Sequence, residues 1–84
     1  MTYTVRVRRS AEKELERLHD SIHARLTKHI LALQDIPRSQ GIKKLSNREE
    51  YRLRVGQYRI LYTIDDEEKI VEIVAVGHRR EVYR

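Results

Sequence analysis

The sequence contains no cysteine and no long apolar run. Without cysteine, the chain has no disulfide framework, no thiol nucleophile and none of the common cysteine-ligated zinc sites. The longest apolar run, Ile73 to Val76, is far too short to span a bilayer, and Met1 to Arg9 has no hydrophobic targeting core. We therefore expect a cytoplasmic protein with no membrane partner.

The chain is also short. With 84 residues and no internal repeat or low-complexity stretch, residues 1–84 are expected to form a single domain. A chain this short removes only about 60% of its unfolded surface from water, which disfavours a deep, enclosed cofactor cavity. We predict an open site on the face of one thin core, and no cofactor.

Positive charge is concentrated in the middle of the chain. Residues 38–60 hold seven of the 18 Lys and Arg residues and two of the 13 Asp and Glu residues, whereas residues 61–77 hold one and five. Clustered basic side chains gain affinity for a polyanion by releasing the counterions of its phosphates. A nucleic acid is therefore the natural partner, and a solvated basic surface that only maintains solubility is the alternative.

The first half of the sequence predicts one strand and a helical hairpin. Tyr3 to Arg9 alternates apolar and polar side chains, which is the period of a half-buried strand. Ser10 is predicted to cap a first helix, and Asp20 a second helix that ends near Pro37, because apolar residues recur three and four positions apart. Residues 38–50 have no sustained period and are predicted to form a connecting loop.

The second half predicts a three-stranded antiparallel meander: Tyr51 to Val55, Tyr58 to Ile64 and Lys69 to Val76. One face of the meander is apolar throughout and must pack on the helices. The sequence therefore predicts an α+β fold in which an N-terminal strand, a helical hairpin and the meander form a single four-stranded sheet, with both helices packed on one face.

The first hairpin turn brings arginines together. Gly56 as the first of two turn residues favours a type II′ turn, which places Arg54 opposite Arg59. Arg52 then lies on the same side, away from the helices. We call this surface, with Arg52, Arg54 and Arg59, the arginine face.

The second turn sets the expected position of the third strand. A four-residue loop at residues 65–68 pairs Ile64 with Lys69, which puts Glu72 diagonal to Arg59. Continued regular alternation then carries His78 off the sheet on the arginine face.

The arginine face carries a local conflict that points to a site. Like charges directly opposite each other on a sheet destabilise it by roughly 0.2 to 1 kcal/mol, and such conflicts often mark functional positions. Guanidinium groups present planar forks of donors that fit phosphate oxygens and stabilise negative charge growing on them. The alternative is a solvated basic face.

Two segments of the sequence, together with the order of the elements, resemble a known family. Tyr51-Arg-Leu-Arg-Val-Gly-Gln-Tyr-Arg-Ile-Leu-Tyr62 and Val76-Gly-His-Arg-Arg-Glu-Val-Tyr83 are similar to the RelE branch of the RelE/ParE toxins of type II toxin-antitoxin systems. The resemblance covers essentially the whole chain. It implies a ribosome-dependent endoribonuclease that cleaves mRNA in the ribosomal A site to inhibit translation, and a cognate RelB-like antitoxin as partner.

The resemblance also implies a site and a chemistry. Matched position by position, with His78 added because arginine stays protonated and is a poor base, the predicted catalytic residues are Arg52, Arg54, Arg59, His78, Arg79 and Tyr83. The expected reaction needs no metal: the ribose 2′-OH attacks the adjacent phosphate and leaves a 2′,3′-cyclic phosphate and a 5′-OH. Tyr83 is expected to stack on a codon base.

Basic side chains outside the predicted catalytic set are expected to contact RNA phosphates. They are Lys43, Lys44, Arg48 and Arg80.

Two other functions are possible for such a chain. The rival within the family is a ParE-like, non-enzymatic inhibitor of DNA gyrase, although such chains generally lack the pair Arg79 and Tyr83. The rival outside it is an RNA-binding module without catalysis.

Overall fold

The computed structural model describes residues 2–37, 43–44 and 50–78. These residues form two helices and a five-stranded sheet in the order β1-β5-β4-β3-β2. The elements are β1 Thr4–Val7, α1 Arg9–Glu16, α2 Asp20–Ala32, β2 Lys43–Lys44, β3 Glu50–Val55, β4 Tyr58–Asp65 and β5 Ile70–His78. The predicted α+β fold is confirmed, and the predicted four-strand sheet gains the two-residue β2 within a segment predicted as a loop. No helix in the described part of the chain has the length and apolarity to cross a membrane.

The first helix starts earlier than the sequence predicts. Its N-cap is Arg8, without a capping side chain, and the predicted cap Ser10 lies inside α1. The reason is that β1 runs directly into the helix: the backbone N–H of Arg8 donates to the carbonyl of Ile73 in β5 at 2.9 Å, and the chain turns at that point. The predicted cap Asp20 is likewise the first residue of α2, after His19.

The core lies between the helices and one face of the sheet. Ala11 and Leu15 of α1 and Leu26 and Ile30 of α2 are buried because they recur at helical spacing on the inner side of each helix. They pack with alternate residues of the strands, of which the fully buried ones are Ile60, Tyr62, Val71, Ile73 and Val76. The predicted apolar face of the meander is therefore the core face.

The first hairpin has the predicted register. Arg54 pairs with Arg59, Arg52 with Leu61 and Val55 with Tyr58 across β3 and β4. Gly56 has a φ of 58°, which the tight two-residue turn requires and which a residue with a Cβ adopts at a cost.

The second hairpin differs from the prediction. Asp65 belongs to β4 and pairs with Ile70, so the loop comprises residues 66–69 and Ile64 pairs with Val71 instead of Lys69. The acidic run shifts the turn, because Asp65 Oδ1 accepts hydrogen bonds from the backbone N–H groups of Glu67 and Glu68, both at 3.0 Å.

A β-bulge then changes the alternation of β5. The pairing register shifts between Leu61 and Tyr62: Tyr62 pairs with Ile73 but Leu61 pairs with Ala75, which leaves Val74 as the extra residue. Beyond the bulge, Ile60 pairs with Val76. Residues of β5 after the bulge therefore lie on the opposite face from that predicted by regular alternation.

The N-terminal strand pairs parallel with β5, over Thr4 to Val7 and Ile70 to Ile73. Residues of the β4–β5 loop hold its start. The Tyr3 hydroxyl donates to Asp66 Oδ1 at 2.8 Å, and Lys69 Nζ lies 5.1 Å from the centre of the Tyr3 ring. These contacts hold the start of β1 against the β4–β5 loop.

Candidate functional site

The arginine face exists as the β3–β4 register predicts. Arg54 and Arg59 are direct cross-strand partners, and Arg52 lies two residues along β3 on the same face. The three side chains differ in exposure: Arg54 is exposed, Arg52 is half-buried and Arg59 is 6% exposed. The surface thus combines one buried, one half-buried and one exposed arginine.

Small residues of β5 flank this surface, and the sequence reasoning missed them. Gly77 pairs with Arg59, and Ala75 pairs with Leu61, so both lie on the arginine face. Leu61 is buried at 8% exposure yet lies outside the core cluster, which agrees with its place on this face. Because Gly77 has no side chain and Ala75 has only a methyl group, nothing of theirs projects over the arginines. The only signal in the sequence was the small size of these two residues.

His78 lies on the other side of the sheet. It pairs with Tyr58, and the two rings are in edge contact with their centres 5.8 Å apart. Tyr58 itself packs against the core cluster on the helix side. The prediction that His78 leaves the sheet on the arginine face is therefore wrong, and the reason is the bulge at Val74, which reverses the alternation of the residues that follow.

Glu72 also differs from its predicted place. It pairs with Thr63, four residues along β4 from Arg59, which is about 13 Å at the rise of a strand. Its carboxylate Oε1 lies 3.2 Å from Arg8 Nη2. The acidic side chain predicted to be diagonal to Arg59 instead forms an ion pair at the start of α1.

The remaining predicted site residues are only partly described. Lys43 and Lys44 form β2, and the backbone of Lys43 pairs with Arg52, so β2 extends the sheet next to the arginine face. The predicted contacts that lie outside the described residues are Arg48, Arg79, Arg80 and Tyr83. Within residues 2–37, 43–44 and 50–78, no group of three or more His, Asp or Glu side chains could hold a metal ion.

Three arginines of β3 and β4 share one face of the sheet. Their donors match phosphate oxygens, and the antiparallel sheet holds Arg54 and Arg59 side by side without help from the loops. The fold and this face define a class: small basic α+β proteins with a cationic sheet opposite a helical hairpin.

Similarity to known proteins identifies the family within that class. Residues 5–83 match the family model described as the ParE toxin of type II toxin-antitoxin systems, parDE. The chain is 38% identical over 88 residues to toxin RelG of Mycobacterium tuberculosis, an alignment covering 100% of this chain and 99% of that toxin. The chain therefore belongs to the RelE/ParE family of toxins of type II toxin-antitoxin systems, which confirms the resemblance found in the sequence.

Solved structures agree with this assignment. The toxin-antitoxin complex RelBE2 from Mycobacterium tuberculosis is similar with a TM-score of 0.84 and 34% identity, covering 94% of this chain and 100% of that chain. The RelE-RelB complex from Pyrococcus horikoshii is similar with a TM-score of 0.85 and 25% identity, covering 98% of this chain and 100% of that chain.

Proposed function

We propose that the protein is a ribosome-dependent endoribonuclease that cleaves mRNA in the ribosomal A site and thereby inhibits translation. The observation that carries the proposal is the arginine face, where Arg54 lies directly opposite Arg59 on a surface bordered by Gly77. A folding domain that keeps like charges opposed loses stability, and binding to an RNA phosphate compensates for the repulsion. Relatives and structural neighbours named as RelE and RelG toxins support the same reading.

The reaction we propose is a transesterification within the RNA that uses no metal ion. The ribose 2′-oxygen forms a bond to the adjacent phosphorus, the bond from phosphorus to the 5′-oxygen breaks, and a 2′,3′-cyclic phosphate and a 5′-OH result. Water accepts the proton of the 2′-OH, and water donates a proton to the leaving 5′-oxygen. Negative charge increases on the phosphate oxygens during the transfer, and fixed guanidinium groups lower the barrier by stabilising that charge.

Each residue has a separate part in this proposal. Arg59 and Arg79 hold the reacting phosphate, Arg52 and Arg54 bind the backbone and assist proton transfer, and Tyr83 stacks on a base. Burial favours Arg59 as the residue that binds the reacting phosphate. Arg59 is 6% exposed, so its guanidinium is held in place and is weakly screened by water. Further phosphate contacts are assigned to Lys43, Lys44, Arg48 and Arg80. His78 has no part in proton transfer here, since its ring contacts Tyr58 on the helix side.

Two partners follow from the proposal. An antitoxin of the RelB type would bind and neutralise the toxin, which is supported by structural neighbours solved as RelB complexes. The ribosome would be the second partner. It would hold the message in the orientation that the small open site does not impose by itself. A toxin of this kind works in the cytoplasm, where translation takes place.

The test is primer extension on a message held in ribosomes with an empty A site. Wild-type protein is compared with Arg79→Ala, with Lys28→Ala as a control that removes a charge from the exposed side of α2, and with the same message without ribosomes. We expect cuts within the A-site codon for the wild type and for Lys28→Ala, and none for Arg79→Ala or without ribosomes.

Two other outcomes would replace the proposal. Folded, antitoxin-free protein that leaves the message intact but blocks supercoiling by DNA gyrase would act as a ParE-like inhibitor. Protein that leaves both substrates intact but binds RNA with a steep dependence on salt would be a non-catalytic RNA-binding module.

A further inference from the structure

The edge of β5 that faces away from β4 is paired with another strand over only part of its length. From Ile70 to Ile73 this edge is paired with β1. At Arg8 the chain leaves the sheet and enters α1, and the last backbone bond to β5 is from Arg8 N to Ile73 O at 2.9 Å. Among the described strands, none lies beside β5 on that side from Val74 to His78. The backbone N–H groups of this edge therefore need other acceptors.

A side chain of α1 supplies one of them. Glu14 Oε1 accepts a hydrogen bond from the backbone N–H of Val76 at 2.9 Å, in a partly buried position. A carboxylate that accepts from an amide forms a stronger bond than two neutral groups do. Glu14 thus takes the place of a strand partner two residues after the bulged Val74.

The contact lies in a cleft between α1 and the end of β5. The cleft has a volume of about 350 Å³ and is lined by Glu14, Arg17, Leu18, Tyr58 and residues 76–78. Val76 is 1% exposed and fixed in the core, whereas Gly77 faces Arg59 on the other side of the sheet. A bulge twists and redirects its strand, so the direction in which β5 ends depends on what holds the backbone after the bulge.

We infer that Glu14 is a positioning residue for catalysis. By holding the Val76 amide, it fixes the backbone of β5 at Gly77, which lies opposite Arg59 on the arginine face. This inference rests on the proposed function, because it assigns Glu14 an effect on the surface around Arg59 that is proposed to bind the reacting phosphate. Glu14 itself lies on the helix side of the sheet, away from that surface.

The test compares two substitutions that differ in one property. Glu14→Gln removes the charge but keeps a carbonyl oxygen that can accept from Val76, and Glu14→Met removes the acceptor at nearly the same length and helix propensity. Glu16→Ala, in the exposed last position of α1, is the matched control for loss of a carboxylate. Single-turnover cleavage on ribosomes with an empty A site separates the maximal rate from the ribosome concentration at half-saturation.

We expect Glu14→Met to lower the maximal rate by about tenfold or more while half-saturation changes by about twofold or less, because misplacing groups by about 1 Å costs up to 10²-fold in rate. Glu14→Gln should recover most of the rate, and Glu16→Ala should match the wild type. A Glu14→Met protein that melts at a lower temperature but cleaves at the wild-type maximal rate when folded would overturn the inference, because Glu14 would then be only structural.

Hydrogen exchange on the antitoxin-free protein gives a second readout that does not depend on activity. The Val76 amide should exchange about five- to tenfold faster in Glu14→Met than in the wild type, as expected for the loss of one hydrogen bond. Equal exchange in the two proteins would overturn the contact itself. If the wild type does not cleave, the proposed function fails and the catalytic role of Glu14 fails with it, while the exchange difference still reports whether Glu14 holds β5.

Discussion

The two faces of the β3–β4 hairpin carry opposite chemistry on the same strands. On the helix side, Tyr51 and Tyr62 are cross-strand partners, both buried, with their rings stacked at 5.8 Å between centres. On the other side, the equivalent partners are Arg54 and Arg59, which carry like charges. Strand alternation alone separates the apolar core face from the arginine face.

The contacts that stabilise this small fold lie on the core face. Burial of Tyr62 on the core face is complete, and its hydroxyl donates to the carbonyl of Pro37 at 2.8 Å, so even the polar atom contributes. On the arginine face, Arg54 is exposed and carries the same charge as Arg59, its cross-strand partner. Substitutions on the two faces should therefore separate stability from activity.

The largest expected effect is on the core face. Ile73→Ala should lower the free energy of unfolding by about 2 to 5 kcal/mol, because Ile73 is fully buried and its removal leaves a cavity. Urea unfolding followed by circular dichroism measures this change. Ile36→Ala is the matched control, since Ile36 is 59% exposed and its loss should change stability by less than about 0.5 kcal/mol. Equal losses at the two positions would contradict the assignment of the core.

The next effect is on the arginine face and concerns rate. Arg59→Met should lower the rate of mRNA cleavage on ribosomes by about 10²- to 10³-fold, because it removes a fixed donor to the developing charge. Single-turnover cleavage measures it, with Lys28→Ala as the control for a lost positive charge. A loss of less than about threefold would show that Arg59 does not contact the reacting phosphate.

A smaller effect is expected at Arg54, where one substitution should raise stability and weaken RNA binding. Arg54→Thr removes the like charge facing Arg59 and adds a residue that favours strands, so the free energy of unfolding should rise by about 0.2 to 1 kcal/mol. Affinity for single-stranded RNA should fall, and the slope of log affinity against log salt should decrease by about 1. If stability falls instead, the two arginines do not repel each other in the folded protein.

The sequence predicts the β3–β4 hairpin well because its determinants are local. Gly56 fixes a two-residue turn, and every pair from Val55 to Arg52 follows from it by counting. The β4–β5 pairing was predicted wrongly for two reasons. Asp65 bonds the amides of the loop and moves the turn by one residue, and the bulge at Val74 inserts a residue that no local pattern marks.

The accuracy with which each site residue was placed depends on the hairpin that holds it. Arg52, Arg54 and Arg59 depend only on the first hairpin and are brought together as expected, whereas His78 depends on β5 and lies on the opposite face. The cleft with Glu14 could not be predicted, because it requires knowing where β1 ends and which helix side chain meets β5. Arg79 and Tyr83 lie outside the described residues, and their roles stay predictions.

The smallest expected effect tests that corrected register directly. Glu72 forms an exposed ion pair with Arg8 at 3.2 Å, so Arg8→Ala alone should change the free energy of unfolding by less than about 1 kcal/mol. A double-mutant cycle of Arg8→Ala with Glu72→Ala should give a coupling of about 0.2 to 1 kcal/mol, and a cycle of Glu72→Ala with Arg59→Met should give none within about 0.3 kcal/mol. The second cycle is the sharper one, because a register without the shifted turn would put Glu72 diagonal to Arg59. Coupling between Glu72 and Arg59, with none between Glu72 and Arg8, would restore that register. It would leave the face of His78 unchanged, because that face depends on the bulge at Val74, which follows Glu72 along β5.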